Sequence, residues 1–101
     1  MPDMDKLLED IKNYLNIRWI DEKTDKNILG MIERGKVRLQ KIAGVPTLNY
    51  EEEDLPRQLL FDYVRYANAQ ALEMFEKNFQ SELLELHLEY QVALINLEEG
   101  V

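Results

Sequence analysis

Cysteine is absent from this chain, and histidine occurs once, as His87. The first absence excludes disulfides, thiolate metal sites and a cysteine nucleophile. The second leaves at most one imidazole, too few for a histidine-based metal site. Three prolines and four glycines in 101 residues are few for a loop-rich all-β fold. No apolar run approaches the roughly 20 residues that span a bilayer, so no membrane segment is expected. The opening Met1-Pro2-Asp3-Met4-Asp5 lacks the basic stretch of a signal peptide, which places synthesis in a cytoplasm-like compartment. Also missing are G-x-S-x-G, the P-loop, the dinucleotide fingerprint and H-E-x-x-H. No enzymatic activity and no cofactor is expected on these grounds.

Hydrophobic residues make up 46% and charged residues 32%, a balance that suits one folded domain. The net charge is −8 and is unevenly placed. Residues 1–50 hold nine Lys/Arg against eight Asp/Glu; residues 51–101 hold three against twelve. An acidic chain is a poor general DNA binder, and a nearly neutral half beside a strongly acidic one fits either charge-complementary protein association or ordinary solubility.

Helical periodicity dominates. Met4, Leu7, Leu8, Ile11, Tyr14 and Leu15 share one face of a helix over about 3–15, which Asn16 ends. Ile17-Arg18-Trp19-Ile20 reads as a connector whose Ile17 and Trp19 pack on the bundle. A second helix over about 25–43, capped by Thr24 or Asp25, carries the stripe Ile28, Ile32, Gly35, Leu39 and Ile42. Gly35 on that stripe marks a close helix approach. Gly44, followed by Pro46, stops the helix. Asp54-Leu55-Pro56 opens a third helix with Leu60, Val64, Ala67, Ala71, Met74 and Phe75 inward. Neither Gly nor Pro occurs between Pro56 and Gly100, yet the apolar phase slips. The third helix's stripe runs on into Asn78, Glu82, Glu85 and Glu89, while Leu83, Leu86, Tyr90, Leu94 and Leu97 form a new face with Leu84 and Leu88 beside it. A break near 77–81, or a change of partner, is expected. The fold class is therefore all-α: a bundle of about four helices with a long third helix. Its core is expected over 1–80, with a C-terminal segment over 81–101 that docks on a partner.

Candidate contact residues follow from charge and phase. Arg34, Arg38 and Lys41 form a basic stripe on the second helix, with Met31 and Val37 off its inward face. Tyr50 precedes the acidic run Glu51, Glu52, Glu53 and Asp54. Leu83, Leu86, Leu94 and Leu97 make up the shifted face. A solvated helix surface is the plain alternative for the charged groups. Glu82, Glu85, His87 and Glu89 do not make a metal site, because Glu-x-x-His would need Glu where Leu84 stands and His87 points away from the other three.

The order of segments resembles one family. A short helix ending in Tyr14-Leu15-Asn16-Ile17, the acidic loop 21–25, Asn27-Ile28-Leu29-Gly30-Met31-Ile32-Glu33-Arg34-Gly35, Ile42-Ala43-Gly44 and Leu55-Pro56 opening a Leu/Tyr/Ala-rich helix follow in turn. Over roughly residues 4–80 this looks like the head–tail connector, or head-completion, proteins of long-tailed bacteriophages and prophages. Gly30 and Gly35 stand where small Ala-like residues are commoner in that family, and the aromatic end of its long helix is only partly matched. The resemblance implies a structural virion protein at the capsid–tail junction, assembled in the host bacterial cytoplasm. It implies a homo-oligomeric ring between the portal protein and a tail-side connector or stopper, with DNA passing through the channel without sequence-specific binding and the C-terminal segment reaching toward the portal. The other reading left open by the residues is an intracellular acidic all-α regulatory or inhibitory module, such as a DNA mimic.

Overall fold

The computed structural model describes residues 2–99, with side-chain surroundings for residues 4–96. Five helices follow in order: α1 (Pro2–Tyr14), α2 (Glu22–Ala43), α3 (Leu55–Asn68), α4 (Leu72–Asn78) and α5 (Gln80–Glu99). Among the described residues there is no strand. The chain is all-α, as its periodicity dictates.

The starts of α2 and α3 follow short polar side chains. Asp54 caps α3, its Oδ1 accepting from the backbone N–H of Leu55 at 2.8 Å, with Pro56 in the first turn. The cap of α2 lies earlier than expected. Asp21 accepts from the hydroxyl of Thr24 at 2.6 Å and from its backbone N–H, which carries the helix back to Glu22. Asp25 is thereby free to pair with Lys12 of α1 at 2.7 Å.

Three helices end alike, each on a residue in the left-handed region: Asn16 (φ 61°), Gly44 (φ 76°) and Gln70 (φ 56°). After each, the next N–H reaches back across the last turn: Ile17 to the Lys12 carbonyl at 2.8 Å, Val45 to Gln40 at 3.1 Å, Ala71 to Tyr66 at 2.8 Å. This six-to-one bond satisfies a carbonyl that the helix leaves open. The expected long third helix is thus two. It turns at 69–71, and α4 ends at Asn78, with Phe79 as the single residue before α5. The turn lets Phe75 and Phe79 fold back onto α3. Phe75 lies edge-on to Tyr63 and Tyr66, with centroids 5.5 and 5.9 Å away, and stacks on Phe79 at 5.2 Å. Met74, expected inward, is exposed instead.

The core joins all five helices. Ile11 of α1, Ile28, Ile32 and Leu39 of α2, Leu59, Leu60 and Val64 of α3, Phe75 of α4 and Leu86 of α5 are all fully buried. Ile17 packs into it as expected, whereas Trp19 is 58% exposed and lies off the bundle. Gly35 is where α2 and α3 meet, as its place on the stripe implied. Arg57 ties α3 to α1 and to the loop before it. Its guanidinium donates to Asp10 and to the Tyr50 carbonyl, both at 3.0 Å, and lies 4.5 Å over the Phe61 ring.

Candidate functional site: two unpartnered helix faces

α5 carries apolar residues on two faces. The first contains Leu83 and Leu86, which are buried in the shared core beside half-buried Tyr90. Both leucines were expected on a face outside the core; they lie inside it, because α5 runs back along α2 and α3. The second face contains Leu84, Leu88, Val92 and Ile95, at helical spacings of four, four and three. Each is between 52 and 57% exposed. An amphipathic surface helix normally has one apolar stripe. α5 has a second, whose side chains are each more than half exposed.

Among the described residues, the hydrogen bonds from α5 side chains to the bundle end at Gln91. His87 donates from Nδ1 to the Ile42 carbonyl at 2.8 Å, and Gln91 donates to the Ala43 carbonyl at 3.2 Å. One turn apart, these two side chains close the open C-terminal carbonyls of α2. Beyond them every described residue from Val92 to Asn96 is exposed. Leu94 lies in register with the core-facing row and is 39% exposed, because the bundle has ended beneath it. From Val92 to Glu99 the helix runs on for about 12 Å at 1.5 Å per residue. The side chain of Leu97, one turn after Leu94, lies outside the described residues.

Glu82, Glu85 and Glu89 form an acidic row beside the outer stripe, and neither Lys nor Arg follows Lys77. Glu85 and Glu89 also line a cleft of about 600 Å³ with Tyr14, Arg57 and Asp62. In that cleft the Tyr14 hydroxyl donates to Asp62 at 2.6 Å and Arg65 donates to the same oxygen at 3.3 Å. The hydrogen bond to Asp62, and then burial, raise the Tyr14 phenol above its ordinary range. Tyr90 is raised chiefly by burial, and further by the charges of Glu89, Asp54 and Glu52. The acidic loop 51–54 therefore stands at the end of the bundle from which α5 projects. Glu51, Glu52 and Glu53 are exposed there, Glu53 lying 3.7 Å from Arg57. Tyr50, a contact candidate by sequence, is instead a core residue. It is buried, its hydroxyl lies 3.4 Å from the Lys36 carbonyl and from Gln40, and burial pushes its phenol well up.

The second free face is on α2. Arg34, Arg38 and Lys41 are exposed on one side of the helix, as their spacing requires. With Glu33, Val37 and Tyr63 they line an open groove of about 530 Å³. Val37, 64% exposed, sits among the cations. Arg38 pairs with Glu76 of α4, Nε to Oε1 at 3.0 Å. Among the described residues Arg34 and Lys41 make no ion pair.

Sequence reasoning placed the basic stripe on one side of α2 and, of the shifted face, Leu94 at an exposed position, but missed the outer stripe as a unit. Leu84 and Leu88 stood out only as neighbours of the shifted face, and Val92 and Ile95 did not stand out at all. The signal was their regular spacing opposite the Leu83–Leu86 row. Among the described residues no group of three or more His, Asp or Glu could hold a metal ion, and no helix is long and apolar enough to cross a membrane. Compared with known proteins, the chain matches no family model, no curated protein and no solved structure.

Proposed function

We propose that this chain is a structural subunit of a ring-shaped head–tail connector of a long-tailed bacteriophage or prophage, standing between portal and tail and lining the DNA exit channel. The observation that carries this reading is α5: half of it completes the core, and the other half leaves the bundle with apolar residues uncovered on two sides. A helix with that much unburied apolar surface is a protein contact. The projecting end of α5, with exposed Leu94 at its base, is the portal-facing element. The narrower assignment draws support from the order of segments, from the helix end at Asn16 through the glycine stop at Gly44 to the Asp54-Leu55-Pro56 start. A net charge of −8 suits a wall past which DNA slides without adhering.

The test is reconstitution. Purified chain is added to DNA-filled, tailless heads that carry the portal. The reading predicts new ring density at the portal vertex in electron micrographs and packaged DNA that becomes resistant to nuclease. Heads that bind none of the chain and stay nuclease-sensitive would refute it.

A further inference from the structure

We propose that the outer stripe of α5 seats in the basic groove of α2 on a second copy of this chain, making a head-to-tail contact. This rests on the ring reading above and names the surfaces by which its subunits would meet. The two faces are complementary in both respects that matter. One is an apolar ridge, Leu84, Leu88, Val92 and Ile95, edged by Glu85 and Glu89. The other is a groove lined by exposed Val37, Tyr63, Glu33 and the cations Arg34, Arg38 and Lys41, of which Arg34 and Lys41 are in no ion pair among the described residues. No α5 residue lines the groove, so the chain does not fill it with its own helix.

Charge selects this pairing over the symmetric ones. Antiparallel pairing of α5 with its copy sets the acidic row against itself. Parallel pairing leaves that row without a counter-charge, since nothing basic follows Lys77. Pairing α2 with its copy sets Arg34 and Lys41 against Arg34 and Lys41. Only α5 on α2 brings opposite signs together while covering exposed apolar groups on both sides. Such a contact uses different patches on the two partners, so each added copy presents a fresh patch for the next. Repeated with closure, it builds a ring.

The absence of cysteine makes the contact directly readable. A Val37→Cys chain and a Leu88→Cys chain, each with one thiol at an exposed site, are mixed in equal amounts and oxidised under mild conditions. The contact predicts that the mixed 37–88 dimer exceeds either like-with-like dimer by at least tenfold. Adding Arg34→Glu and Lys41→Glu to the Val37→Cys chain should remove that excess, while circular dichroism shows an unchanged melting curve. Equal yields of all three dimers, or a dominant 88–88 or 37–37 product, would overturn the proposal. The same oxidation on portal-bearing heads separates it from the connector reading. Recruitment to the portal without the 37–88 link removes this contact and keeps the connector. The link without recruitment keeps the contact and removes the connector.

Discussion

Gly35 and Tyr63 stand so close that a Cβ built on the glycine meets Cδ1 of the tyrosine ring at 2.8 Å, and Cδ1 of Leu60 at the same distance. Glycine within a helix costs about 1 kcal/mol relative to alanine, so this one is kept for the approach of α2 to α3. Gly30, five residues earlier, differs: a Cβ built there meets only the end of the Arg34 side chain, at 3.2 Å. Gly30→Ala should therefore stabilise the protein by about 0.5–1 kcal/mol through helix propensity alone. Gly35→Ala should lower stability by about 1–2 kcal/mol, because overpacking exceeds the propensity gain. Urea unfolding of the two variants checks the opposite signs.

Gln70 holds the left-handed conformation that Asn and Gly hold at the other two helix ends. For a side chain with a Cβ that conformation costs about 1–2 kcal/mol. Gln70→Gly should raise stability by about 0.5–1 kcal/mol after the extra freedom of glycine in the unfolded chain is set against it. Gln70→Pro, which cannot adopt a positive φ, should disrupt the α3–α4 turn and lower the melting temperature sharply.

These residues also show what the sequence makes visible and what it hides. Gly35, Gly44 and Asp54-Leu55-Pro56 carry their meaning in residue type, and their roles are plain before any coordinates. The turn at 69–71 is built from Ala69, Gln70 and Ala71, which have no turn signature. It exists because Phe75 and Phe79 gain more by packing on Tyr63 and Tyr66 than a straight helix allows, a tertiary effect that overrides local preference. The phase slip called for either a break near 77–81 or a change of partner; a break does fall at Phe79, but the slip could not reveal the second one at 69–71. Trp19 and Tyr50 were exchanged in role for a related reason. An aromatic residue in a loop reads alike whether the loop folds inward or out.

The two halves of α5 give opposite truncation results. Removing residues from Val92 onward takes away described side chains that are all exposed, so the shortened protein should melt within a few degrees of the full chain. Removing residues from Ser81 onward takes Leu83 and Leu86 out of the core, where a single Leu→Ala change costs about 2–5 kcal/mol. That fragment should show no cooperative melting transition by circular dichroism. The part of α5 that the core does not need thus begins near Val92.

Alkaline pH should weaken the fold through its tyrosines. The hydrogen bond to Asp62 raises Tyr14, and burial raises Tyr50 and Tyr90, above the ordinary phenol value of 10.0. A group whose folded value exceeds its unfolded value contributes stability that is complete below the unfolded value and declines as pH climbs through the folded one. Stability measured from pH 7 upward should stay level in this respect to about 10 and then fall. Tyr14→Phe should lose about 1 kcal/mol at pH 7, from the missing hydrogen bond to Asp62, and show a smaller alkaline decline.

The most direct test of the account is one variant scored for folding and for assembly together. Leu88→Glu with Val92→Glu adds charge only to the outer stripe of α5, where both residues are more than half exposed. The account predicts a melting temperature within a few degrees of the parent, and no ring at the portal vertex of reconstituted heads. A normal ring from the variant, or a melting temperature that collapses with it, would show that the stripe serves no assembly or belongs to the core, and would contradict the account.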